Sequence, residues 1–267
     1  MAAGEGKGEV VKYLVSRGAK VNLGCPGGSP ISAAVGSYRK GWGQETIEYL
    51  IKNGATVKDQ NDDDLYGSIL LSTLTAWGDD DETPDRIKFL VKHGIDVNAK
   101  FEKGGYGSAL IAAANRRKLK HTDEPETETL ECLIELGARV NEQATTGEYG
   151  SALVAAVARE NYHRIDFLIK HGADVNLPLL TGNYRSALEL ITSGGESQYK
   201  KTANPDRNVV KIINLLLRSG ADADSVLRAG LCLPQMVQYL VPYIKDGALR
   251  EQFSKNVPEE EGSKVVS

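Results

Sequence analysis

The chain has 267 residues, 41% of them hydrophobic and 25% charged, with a formal net charge of −4. That is enough apolar material for a continuous core, and it gives no global field to attract nucleic acid or an anionic membrane. No apolar run approaches the ~18 residues a bilayer-spanning helix needs; Ile212-Ile213-Asn214-Leu215-Leu216-Leu217 is among the densest and is far shorter.

From the start, Ala2-Ala3 and Gly6 precede an apolar pattern of Val10, Val11, Leu14 and Val15 that ends at Gly18. The opening Met1–Lys7 is not followed by the apolar stretch of a signal peptide. Further apolar helices are expected to end at Gly54, Gly94, Gly137, Gly172 and Gly220. The clearest ending is a five-residue phrase, Gly137-Ala138-Arg139-Val140-Asn141, matched by Gly94-Ile95-Asp96-Val97-Asn98 and Gly172-Ala173-Asp174-Val175-Asn176. Each leads to Ser-Ala-Leu at 108, 151 or 186, fourteen residues after its glycine, and Ser68 follows Gly54 at the same distance. The first interval, Gly18 to Ser29, is eleven. From each serine to the next glycine the lengths are 25, 26, 29, 21 and 34, so the variation lies in the second segment.

This spacing predicts a helix–turn–helix unit joined to the next by a hairpin-like finger. Ser151-Ala152-Leu153-Val154-Ala155-Ala156-Val157 has the small residues of a tightly packed inner helix. Ile165, Leu168 and Ile169, at i, i+3 and i+4, form the apolar stripe of an outer one. Gly172 supplies the left-handed residue that stops it, after basic Lys170 and His171 at the negative helix end. One pair is too small to bury its own apolar face; stacking on the next completes the core.

The pattern resembles the ankyrin repeat over roughly residues 2 to 224, on the Gly-Ala-Asp-Val-Asn ending and the small-residue inner helix. It departs from the usual form in opening each unit with serine: Ser29-Pro30-Ile31-Ser32, Ser68-Ile69-Leu70-Leu71, Ser108-Ala109-Leu110-Ile111, Ser151-Ala152-Leu153-Val154 and Ser186-Ala187-Leu188-Glu189. The family's linking histidine is absent, so its hydrogen bonds need replacement. The fingers are also two residues longer than usual, and the Tyr-Gly-Ser-Ala-Leu variant looks most like ankyrin proteins of filamentous fungi.

The resemblance implies an all-α, ankyrin-type solenoid of stacked helix-turn-helix units joined by long hairpin-like fingers. It would comprise an array over 1–255: a partial first unit (1–28), repeats 29–67, 68–107, 108–150, 151–185 and 186–224, and a divergent helical cap (225–255). Residues 256–267 read as a disordered acidic tail. The first half of the first unit is missing, which points to a shortened capping pair or, the favoured reading, a fragment of a longer array.

The implied function is a non-catalytic, monomeric protein-binding module that presents a rigid concave surface of fingers and inner helices. Tyr66, Tyr106, Tyr149 and Tyr184 all stand two residues before the unit serine. They form either an aromatic strip for a partner or, the favoured reading, a ladder that stiffens the fingers. Trp42 and Trp77, in glycine-flanked interhelical loops, either fold back onto the stack or await a partner. Arg116 and Arg117 open a short basic cluster, but acidic residues follow at once, so nucleic acid is not expected.

No catalytic residue, cofactor or metal site is expected. His93 and His171 share a slot before a helix-ending glycine that capping explains. Asp62-Asp63-Asp64 and Asp79-Asp80-Asp81 lack the alternating ligands of a calcium loop. Cys25, Cys132 and Cys232 are odd in number and widely spaced, which suits thiols in a reducing compartment, the cytosol or nucleus. Two other readings stay open: a regulatory or self-recognition subunit of a larger fungal system, and an enzyme or small-ligand binder using a pocket between fingers and insertions.

Overall fold

The structure is a computed structural model that describes residues 2–23, 29–35, 43–57, 69–75, 83–102, 104–116, 127–194 and 205–255. Among these residues it is helical throughout, without strands. Short inner helices alternate with longer outer ones. The inner set is α2 (Pro30–Val35), α4 (Ile69–Thr75), α6 (Ala109–Ala114), α8 (Ala152–Ala158), α10 (Ala187–Thr192) and α12 (Ala223–Ala229). The outer set is α1 (Gly8–Ser16), α3 (Gln44–Lys52), α5 (Thr83–Lys92), α7 (Glu128–Glu135), α9 (Tyr162–Lys170), α11 (Arg207–Arg218) and α13 (Pro234–Leu240). A 3-10 turn, Val241–Tyr243, and α14 (Gly247–Ser254) close the described chain.

Serine starts the inner helices α6, α8 and α10, and Asp222 starts α12. Ser108, Ser151 and Ser186 hold extended backbone and accept hydrogen bonds through Oγ from the amides of Ile111, Val154 and Glu189 at 3.1–3.3 Å. This satisfies one of the four amides that a helix start leaves open. In the last case Glu189 completes a capping-box-like arrangement by accepting from the Arg185 amide, which explains a glutamate that is 5% exposed.

Glycine stops the outer helices from α1 to α11. At Gly172 (φ +86°) the amide donates to Ile169 O and that of Ala173 to Leu168 O, at 3.0 and 2.9 Å. These two bonds satisfy carbonyls the helix end would strand, and they need a left-handed residue. The same pair recurs at Gly18, Gly54, Gly94, Gly137 and Gly220.

The asparagine that ends the phrase ties one unit to the next. Asn141 donates through Nδ2 to Gly172 O (2.9 Å) and accepts through Oδ1 from the Asp174 amide (2.8 Å). Asn22 makes the same pair with Gly54 and Thr56, Asn98 with Gly137 and Arg139, and Asn176 with Gly220 and Asp222. Only an amide side chain offers one donor and one acceptor side by side, which is what this backbone presents. In the Gly54 unit the slot holds Lys58, outside the described residues.

The last unit changes the rule. Asp224 stands in the asparagine slot and accepts from two amides, those of Lys245 and Asp246, both at 2.9 Å. A carboxylate has two acceptors and no donor, and here the chain brings back two N–H groups and no carbonyl. Asp246 in turn caps α14 and pairs with Arg228. The Leu249 amide, with Arg228 next, holds its carboxyl below the usual carboxylate range.

Candidate functional site

The inner helices α6, α8 and α10 are enclosed. Every residue of α6 and α10 is buried, and α8 leaves only Ala158 partly open. Inner helices α6, α8 and α10 therefore offer little surface to a partner, whereas the sequence led us to expect them to share the recognition surface. Their small side chains let neighbours close in, so the accessible part of the fingered side is the fingers themselves.

Long side chains of the following unit complete the enclosure. Short helices end with several carbonyls unpaired, and burial makes each one costly. Arg164, 4% exposed, donates to Ala114 O at 3.3 Å and to Arg116 O. Arg159 donates through Nε to Asn115 O (2.9 Å) and Oδ1 (2.7 Å), and Asn208 to Glu160 O (2.8 Å). Arg86, 2% exposed, places Nη1 3.5 Å from Val35 O. Both buried arginines stand eight residues before a helix-ending glycine. That shared register was the available signal, and reading for charge clusters passed over it.

The fingers between Gly94 and Ser186 stack on one another through their backbones. The first two begin with a narrow hairpin, with the Phe101 amide on Gly107 O (2.9 Å) and the Ala144 amide on Gly150 O (3.0 Å). Between fingers, the Glu148 amide donates to Gly105 O (3.1 Å), Thr146 Oγ1 to Phe101 O (3.1 Å) and Thr181 Oγ1 to Ala144 O (3.2 Å). Gly147 (φ +100°) lies so close to its neighbour that a Cβ there would sit 2.2 Å from Gly105 O. Thr146 and Thr181 occupy one slot, nine residues after their glycines, another period the sequence carries.

The finger tyrosines sit inside this stack to different depths. Tyr149 is 4% exposed, whereas Tyr106 and Tyr184 are half-buried and pack on the core. Tyr66, Trp42, Trp77 and Arg117 lie outside the described residues. Arg116 is half-buried and donates through Nη1 to Thr129 Oγ1 of α7 (3.1 Å), on the interhelical side. The structure thus brings the three described tyrosines into one ridge and leaves Arg116 apart from it.

Around the tips, Glu102, Glu148, Asn183 and Arg185 are exposed, and Leu180 is 65% exposed. Leu180 stands open beside Thr181, which ties this finger to its neighbour. It did not stand out in the sequence, where Leu177, Leu179 and Leu180 look alike.

The histidines are local helix-end features. His171 Nδ1 is 2.8 Å from Phe167 O and its ring lies against Phe167, while His93 lies against Phe89. Burial pushes the Cys132 thiol up, and that of Cys232 to about 11. Among the described residues no cluster of His, Cys, Asp and Glu has the placement to hold a metal ion, and no helix is long and apolar enough to cross a membrane.

Solved structures share this stacked helix-pair fold. The ankyrin repeat domain of human ASB11 superposes with a TM-score of 0.62 at 15% identity, covering 96% of each chain. The ankyrin repeat domain of Bcl-3, a member of the IkappaB family, gives 0.57 at 18% identity, covering 95% of this chain and 96% of that one. The fold is that of an ankyrin repeat array. By sequence alone the chain matches no family model, and no curated protein matches it. The ankyrin geometry is thus kept here by helix ends, rungs and burial, with few of the residues its neighbours use.

Proposed function

We propose that the chain is a non-catalytic protein-binding module whose recognition surface is the finger ridge, with Leu180 as the apolar anchor, Asn183 and Arg185 beside it, and the half-buried Tyr106 and Tyr184 contributing their edges. The carrying observation is the contrast between a leucine that is 65% exposed and the finger that holds it, which Thr181 ties to its neighbour through Oγ1 on Ala144 O. A preorganised surface loses little conformational entropy on binding, so a few anchors suffice for affinity. The neighbouring ankyrin domains add only that the fold is of a kind used for interaction, since fold does not fix function.

Quantitative affinity capture from native extract tests this. Wild type is compared with Leu180→Asp/Arg185→Glu and with a control change on an exposed outer-helix position, Lys211→Glu. The finger variant is expected to lose its captured protein at least about tenfold, with an unchanged melting midpoint and a control that behaves as wild type. Equal recovery by all three chains would remove the fingers from the interface.

A further inference from the structure

Successive outer helices meet through fixed slots. Eight residues before its glycine, Thr46 of α3 packs so close to Gly8 of α1 that a Cβ on Gly8 would lie 2.7 Å from Thr46 Oγ1. Five before, the Tyr49 hydroxyl lies 3.5 Å from Lys12 O, and Cys132 of α7 places Sγ 3.5 Å from Pro84 O of α5. Four before stand Leu50, Leu90, Leu133, Leu168 and Leu216, each no more than 1% exposed. These slots face the preceding unit and the helix pair's own core.

In α1 the same slots hold Val10, Tyr13 and Leu14, which are 44%, 58% and 46% exposed. A second observation coincides with this stripe. In four later units the glycine carbonyl and the amide two residues on are gripped by the preceding asparagine. Here Gly18, Ala19 and Lys20 are exposed, and no side chain among the described residues fills that role for Gly18 O and the Lys20 amide. The backbone leading into α1 keeps the path of an interior unit. Gly6 (φ +68°) matches Glu160 (φ +52°), and the bonds from Gly6 N to Ala3 O and Lys7 N to Ala2 O repeat those from Glu160 N to Val157 O and Asn161 N to Ala156 O.

We propose that this end is a stacking site for a further ankyrin-type helix pair, which packs its outer helix on Val10 and Tyr13 and closes the rung at Gly18 and Lys20 with its own finger asparagine. A lone amphipathic helix would cover the stripe and leave the rung unmade. A second copy added tail to head is unsuited, because its terminal phrase carries Asp224, already engaged by the Lys245 and Asp246 amides. That carboxylate has no donor for Gly18 O. The site is separate from the finger ridge and stands whether or not the ridge binds a partner.

The test duplicates residues 127–155 ahead of Ala2 in the full chain, so that Ala155 joins Ala2 as it joins Ala156. The expected result is a melting midpoint raised by about 5 °C and exchange of the α1 amides slowed at least about tenfold. Asn141→Ala in the duplicate takes back part of the gain. Val10→Ser/Tyr13→Ser/Leu14→Ser removes most of it in the extended chain while shifting the parent chain little. An extension that leaves the midpoint and α1 exchange unchanged overturns the proposal. So does light scattering that finds the parent chain dimeric and Tyr13→Glu monomeric, which would give the face to a second copy.

Discussion

At the C-terminal end of the array Asp224 meets two amides and the chain folds back to seal the last unit, whereas at the N-terminal end Val10, Tyr13 and Leu14 lie open beside the exposed Gly18 and Lys20. Both ends are built from the same repeated phrase. Replacing one amide nitrogen by an oxygen turns a side chain that accepts a further unit into one that accepts only a cap. In this chain the sealed end carries a local change in hydrogen-bond polarity at Asp224, in addition to the polar outer face that terminal repeats need.

The largest effect separating the ends is expected from one substitution made in two units. Leu133→Ala, at a fully buried site, should cost about 2–5 kcal/mol. Leu14→Ala, in the same slot, should cost under about 1 kcal/mol because the side chain is already half in water. Denaturant unfolding of both variants measures the gap; equal costs would mean that the first helix is covered in solution.

A smaller effect is expected at the sealed end. Asp224→Asn turns an amide NH2 toward one of two N–H donors and leaves that donor unpaired, at about 1–3 kcal/mol. Hydrogen exchange should report it as faster opening of residues 245–254 with α1 unchanged. If the whole array loosens together, the cap is not an independent element.

The smallest effect is a pH dependence confined to that end. The Asp246 carboxyl is held below its ordinary value, chiefly by the Leu249 amide and then by Arg228. A group depressed in the folded state stabilises above its unfolded value, about 3.9, and that contribution is lost as pH falls through the lower folded value. Exchange protection in α14 should therefore decline below about pH 4, and Asp246→Asn should flatten the decline. A profile unchanged by that substitution would place the titrating group elsewhere.

Periodicity made the architecture legible, because the outer helices α1 to α11 stop on a glycine and the inner helices α6, α8 and α10 start on a serine that can be counted off the chain. The site was legible only in outline. Four tyrosines in one slot looked alike, yet Tyr149 is enclosed while Tyr106 and Tyr184 are half-open. Side-chain depth depends on how far each neighbouring finger leans over it, which no single-residue pattern encodes. Arg86 and Arg164 were hidden for a related reason. A lone arginine on an outer helix reads as solvated until the carbonyls of the preceding inner helix are seen to point at it.

The asparagine rung has a consequence for how such a chain changes length. It fastens a unit by the glycine turn alone, so its grip is indifferent to how many residues separate a serine from the following outer helix. The intervals from each serine to the next helix-ending glycine, which include that helix, run from 21 to 34 residues here, and the four observed rungs keep the same two-bond geometry across that range. Inserted sequence on the interhelical side is thus mechanically decoupled from the phase of the stack. A lineage can lengthen, shorten or decorate that edge without retuning the units on either side.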